Sequence, residues 1–112
     1  MEMQTSNVGD VTKVSLTGRL DTAGVSRIEG DFSAQIVPMG RPAIVDLSQV
    51  AFMASLGVRM LISTTRALSG KGGKLALYGA NAAVTEIIET TSLDEIVPVA
   101  VTEAEAIALV TA

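Results

Sequence analysis

The chain predicts an α/β fold: a mostly parallel sheet with an N-terminal hairpin and about four helices. Three observations predict it. Ala43-Ile44-Val45 is a short unbroken apolar run, the pattern of a strand buried on both faces. Beyond it, from Ser55, the residues Val58, Leu61, Ile62, Thr65 and Leu68 follow the i, i+3, i+4, i+7 spacing of one buried helix face. After the opening hairpin, strand-like and helix-like segments alternate, and such alternation requires right-handed crossovers between parallel strands. At 112 residues with 48% hydrophobic content, one domain spanning 1–112 with a real, mostly aliphatic core is expected.

Taken in order, Met3 to Asn7 alternates weakly and reads as a first strand. Gly9-Asp10 is a turn signal, and Val11 to Gly18 alternates Val14 and Leu16 against Lys13, Ser15 and Thr17, so the two strands form a hairpin. A helix follows with Val25, Ile28, Phe32 and Ile36 on one face, closed by Gly40 and Pro42. Gly24 and Gly30 weaken its intrinsic propensity, so packing must hold it. The strand Ala43 to Leu47 is expected to end before a polar break at Ser48-Gln49, with Asp46 accepting backbone N–H bonds there. The helix that follows is expected to begin with Ser55 as its N-cap. Ser69-Gly70-Lys71-Gly72-Gly73 lacks the spacing of a phosphate loop and reads as a helix C-cap and turn. Lys74 to Tyr78 is a strand. Asn81 caps a helix with Val84, Ile87, Ile88 and Thr91 inward. Pro98 places the short strand before Ala100 at a sheet edge. Thr102 with Glu105 forms a capping box for a last helix buried through Ala106, Ile107 and Val110. The order is β-β-α-β-α-β-α-β-α.

Composition excludes several classes of function. With no histidine and no cysteine, imidazole bases, thiolate nucleophiles, disulfides and the usual zinc sites are unavailable. A Ser-His-Asp triad cannot be built. A net charge of −4 and the lack of any basic cluster argue against nucleic acid or an anionic membrane as partner. No apolar run approaches the ~18 residues of a membrane span, and Met1 to Ser6 lacks the features of a signal peptide. A binding module without cofactor or metal is expected, rather than an enzyme.

Two segments carry a resemblance. Asp46-Leu47-Ser48, followed by Ala54-Ser55-Leu56-Gly57, is similar to the STAS domain of anti-anti-sigma factors, or anti-sigma factor antagonists. There a strand ends in Asp-Leu-Ser and a tetrad Asp-Ser-Ser-Gly or Asp-Ser-Thr-Gly opens a helix. Upstream, Leu16-Thr17-Gly18-Arg19-Leu20-Asp21 resembles the family's Leu-x-Gly-x-Leu-Asp. Ala54 departs from the family's acid and Leu56 from its second hydroxyl. The resemblance extends over nearly the whole chain and implies a STAS-like fold and a cytoplasmic anti-sigma factor antagonist. Its unphosphorylated form would bind an anti-sigma factor of the serine-kinase type and release a sigma factor. Phosphorylation at Ser55, with ATP and Mg²⁺ held by the kinase, would break the complex.

The surface expected to meet that partner comprises Asp21, Met53, Ala54, Ser55, Leu56, Gly57, Arg59 and Met60. Leu56, Arg59, Met60 and Ser63 lie opposite the buried face, so Leu56 and Met60 are expected to stand partly exposed beside Ser55. Alternatively, Phe52 or Met53 folds over them. Asp21 is expected near Ser55 by resemblance, or else serves only as the acid at the start of the first helix. Ser55 itself has a plainer role as a cap. Two rival functions stay open. One is a STAS subunit acting as a structural module in a lipid-transport complex or stress-signalling assembly, without phosphorylation. The other is direct nucleotide binding or a weak phosphatase-like activity, which no glycine-rich cradle supports.

Overall fold

A two-residue turn starts the sheet. Gly9 adopts φ +62°, a left-handed conformation that tight hairpins require and glycine takes without strain. It pairs β1 (Glu2–Val8) antiparallel with β2 (Val11–Leu20), with Val8 opposite Val11. The computed structural model describes all residues, 1–112. The remaining elements are α1 (Thr22–Ile36), β3 (Ala43–Met53), α2 (Ser55–Gly70), β4 (Leu75–Tyr78), α3 (Ala82–Thr90), a 3₁₀ turn (Leu93–Glu95), β5 (Val99–Ala100) and α4 (Glu103–Thr111). The order matches the sequence expectation.

The five strands lie in the order β1-β2-β3-β4-β5, and all pairings after the hairpin are parallel. Each crossover therefore moves one place in the same direction. Right-handed connections of that kind put their helices on one face, and α1, α2 and α3 do share a face. Their buried residues, including Phe32, Leu61 and Val84, pack on Val14, Val45 and Leu77. α4 is not a crossover and covers the opposite face, where Ala106 and Val110 meet Ile44, Ala76 and Tyr78. β3 is thus sandwiched, which accounts for its apolar start. Thr65 and Ile62 of α2, Ile87 of α3 and Ile107 of α4 are only half-buried, and Thr91 is exposed, with its hydroxyl donating to the Ile87 carbonyl.

β3 is longer than its sequence pattern predicts. The polar break at Ser48-Gln49 is not a loop; the strand runs on to Met53. Two irregularities explain the misleading pattern. Ser15 pairs with Asp46 and Thr17 with Gln49, and then Gly18 pairs with Val50 and Arg19 with Phe52. Each time β3 spends one residue more than β2, the signature of a bulge. At the first, Asp46 Oδ1 accepts from the Ser48 N–H at 2.9 Å. The buried residues Leu47, Val50 and Met53 consequently fall three apart, a period that no regular strand has.

On the α4 face, Lys13 Nζ pairs with Glu103 at 3.1 Å, and that bond raises the Lys13 pKa. The Tyr78 hydroxyl is buried there without a hydrogen-bond partner. Burial, reinforced by the Asp46 charge, pushes its pKa up.

The two glycines of α1 differ. A Cβ on Gly24 would lie 2.1 Å from the Arg19 carbonyl oxygen, whereas one on Gly30 would meet nothing within 4 Å. Gly30→Ala should therefore stabilise the fold by about 0.4–1 kcal/mol, through helix propensity and unfolded-state entropy. Gly24→Ala should cost about 1–3 kcal/mol by overpacking. Urea unfolding of the two variants checks the sign of each.

Candidate functional site

The carboxyl ends of β2 and β3 are the place where parallel α/β sheets present their sites. Here they feed directly into α1 and α2. The N–H of Ala54 donates to the Leu20 carbonyl at 2.9 Å, so the entrance to α2 is tied to the end of β2. Gly57 seals that junction: a Cβ there would stand 3.0 Å from Met53 Cγ and 3.1 Å from both Leu20 Cβ and the Leu20 carbonyl oxygen. Asp21 and Ser55 each follow one residue after this shared backbone bond, so β2 and α2 bring them to the same end of the sheet.

Asp21 is the N-cap of α1 and accepts from the Gly24 N–H at 2.9 Å. That bond, with Arg19 as a smaller contributor, holds its carboxyl below the usual aspartate range. Arg19 Nε lies 3.5 Å from Asp21 Oδ2, and its guanidinium sits over the Phe52 ring, 4.6 Å from the centroid. A cation over an aromatic face is favourable by about 0.5–1 kcal/mol at an exposed site. Sequence reasoning missed this stacked pair. Arg19 stood in the variable position of Leu-x-Gly-x-Leu-Asp, and Phe52 only became its neighbour through the two bulges of β3, which leave no linear signal. Beside them an open cavity of about 800 Å³ is lined by Gly18, Arg19, Asp21, Gly24 and Arg27, among others. No three Asp or Glu side chains converge in a way that would hold a metal ion.

Several site residues stand differently from expectation. Ser55 is the first residue of α2, not its cap. Ala54 holds the cap position with extended backbone, and no side chain there accepts a hydrogen bond. The first-turn N–H groups of α2 thus lack a side-chain acceptor, and the exposed Ser55 hydroxyl is free. Met60 is only 4% exposed, which corrects the expectation of a surface residue. The cover is not the preceding loop but α1: a small crevice lined by Glu29, Ser33, Met60, Ser63 and Thr64 marks where the two helices meet. Met53 is fully buried in the main core and cannot offer its side chain to a partner, and Gly57 is buried in the β2 junction. Ala54 and Leu56 are half-buried. Arg59 is exposed and makes no ion pair. What faces solvent together is therefore Asp21, Ser55, Leu56 and Arg59, with Arg19 and Phe52 added.

Comparison with known proteins finds relatives of the whole chain. A family model for the STAS domain matches residues 2–106. A Bordetella bronchiseptica protein, BtrV, whose name carries the description of an anti-sigma factor antagonist, is 26% identical over 100 residues, covering 89% of this chain and 86% of its own. The crystal structure of an anti-sigma factor antagonist from Mycobacterium paratuberculosis superposes with a TM-score of 0.89 at 26% identity, covering 99% of this chain and 94% of that one. The anti-sigma factor antagonist SpoIIAA, solved in its unphosphorylated form, superposes with a TM-score of 0.75 at 25% identity over 95% of this chain and 93% of that one.

Burial separates Met60 from its neighbour Arg59. Met60→Ala should cost about 2–5 kcal/mol of stability by leaving a cavity between α1 and α2. Arg59→Ala should stay within about 0.5 kcal/mol. Equal effects in urea unfolding would mean that α2 presents another face to α1.

Proposed function

The chain belongs to the STAS domain family, and on that premise we propose that it is an anti-sigma factor antagonist whose contact face is the start of α2. Unphosphorylated, it binds an anti-sigma factor of the serine-kinase type and thereby frees a sigma factor. The partner supplies ATP, Mg²⁺ and the catalytic groups. This chain supplies the Ser55 hydroxyl, whose oxygen takes the γ-phosphoryl group as ADP leaves. One observation carries the reading: Ser55 stands exposed at the first turn of a helix anchored to the end of β2. Around it are a half-buried apolar residue, Leu56, an unpaired cation, Arg59, and the Arg19–Phe52 stack.

The switch is electrostatic. A phosphate on Ser55 brings a charge of about −1.5 to −2. Within the free protein that charge is welcome, because the uncapped N–H groups and dipole of α2 point at it. Arg59 lies one turn on, at the i+4 position where ion pairs form along a helix. At a contact built on Leu56 and Phe52 the same charge loses its water, and the complex dissociates. Ala54 and Leu56, where this chain departs from the family tetrad, favour a second reading: a STAS module that binds its assembly without being phosphorylated.

Titration against the isolated partner tests both. Ser55→Asp should leave stability unchanged or slightly raised and weaken binding at least tenfold, about 1.4 kcal/mol. Ser55→Ala, which removes no cap bond, should keep both stability and binding while blocking phosphorylation. If wild type and both variants bind alike, the second reading holds. Ala54→Asp should add the missing cap, raising stability by about 0.5–2 kcal/mol. It should also speed phosphorylation by orienting the Ser55 hydroxyl; an unchanged rate would deny the acid that role.

A further inference from the structure

The end of the sheet away from β1 has an unusual surface. β5 is an edge strand of two residues, and its free edge runs beside α4. Between them lies an apolar groove lined by Val99, Ala100, Ala108, Leu109 and Ala112, with Glu105 as its polar member. Of the six large apolar side chains left exposed in the molecule, three lie on or beside β5 and α4: Val99, Val101 at 78% exposure, and Leu109 at 41%. Apolar surface gathered in this way marks an interaction site rather than scattered exposure.

The charge around the groove says what kind of occupant fits. From Leu75 to Ala112 the chain holds six carboxylates, at Glu86, Glu89, Asp94, Glu95, Glu103 and Glu105, and no lysine or arginine. All eight cations lie in the first 74 residues, together with the other six carboxylates. The net charge of the protein therefore comes from this one end. Glu103 is neutralised by Lys13, but Asp94 and Glu95 precede β5 in an exposed turn and Glu105 lines the groove itself. Besides Lys13, one more cation reaches this end: Lys74, whose Nζ donates to the Ala112 carbonyl at 3.0 Å. A second copy of the chain is a poor occupant, because an isologous contact would set the same carboxylates against each other. An anionic lipid surface is disfavoured for the same reason.

We infer that the groove between β5 and α4 is a second docking surface, and that it takes a cationic amphipathic helix of a protein partner, apolar face inward and lysine or arginine toward Glu105. Such a helix buries its apolar stripe in the groove, in the manner of helix-in-groove recognition. The acidic rim sets its orientation and speeds its approach. The surface is independent of Ser55, which lies at the end of β3, two strands away.

The test uses a labelled 14-residue peptide of leucine and lysine at helical spacing, titrated by fluorescence anisotropy and mapped by amide chemical shifts. Saturable binding is expected, weakening with salt, with shifts centred on Val99, Val101 and Leu109. Leu109→Asp is the decisive variant. It adds negative charge, so attraction by charge alone would tighten binding, whereas a groove that needs its apolar floor should bind at least tenfold more weakly. Leu109→Gln, which keeps the charge and suits a helix, should weaken binding in the same sense if the Asp variant unfolds. Ser55→Asp should change nothing. Tighter binding to Leu109→Asp would overturn the inference. So would equal binding of a leucine–glutamate or leucine–serine peptide, shifts mapped elsewhere, flotation of the protein with phosphatidylglycerol vesicles through this groove, or wild-type self-association that Leu109→Asp abolishes.

Discussion

The hydrogen bond from the Ala54 N–H to the Leu20 carbonyl is the joint on which the candidate site depends. β3 must reach past its apolar core segment to make that bond. It does so through two bulges, each adding a residue and turning the strand further. The same lengthening sets Phe52 opposite Arg19 and delivers Ser55 to the first turn of α2. Gly57 then lets the helix settle on Leu20 and Met53 without a Cβ in the way. A rigid strand end therefore positions the serine, and the helix start is left without a side-chain cap.

The fold was legible because its signals are strong and local. The apolar run Ala43 to Val45 could only be a strand buried twice, and Val25, Ile28, Phe32 and Ile36 could only be a helix face. Pro98 correctly put β5 at the edge. Misreadings came where a tertiary event overrode a local pattern. The Asp46–Ser48 turn gave β3 the polar break of a loop while the strand continued. Met60 lay outside the predicted apolar stripe of α2, yet α1 packs beside that helix and widens the buried arc to include it. A helix flanked by a sheet and by a second helix has two buried directions, and a single periodic stripe describes one.

At the site, the sequence put Ser55 at the start of α2 but took it for the cap, a position that Ala54 holds. Ser55 and Ala54 differ by one place, and both cap and first residue tolerate serine, so composition could not separate them. The difference bears on chemistry. A capping serine spends its oxygen on a backbone N–H, while a serine at the first helical position keeps it free. The half-buried Leu56 and exposed Arg59 stay on the surface with it, and the stacked Arg19 and Phe52 extend that surface across the strand ends.

The strictly sequential strand order has a kinetic consequence. Every strand after the first joins the sheet beside the one made just before it. No loop has to wait for a distant partner, so ordering entropy is recovered in small increments as each strand–helix unit is added. A chain emerging from the ribosome can build this sheet from one edge to the other. The exception is the second face. Ile44, Ala76 and Tyr78 remain uncovered until α4, the last element, docks on them. During that interval the growing domain presents an apolar sheet face to its surroundings, and the dozen residues after β5 decide how long it does so.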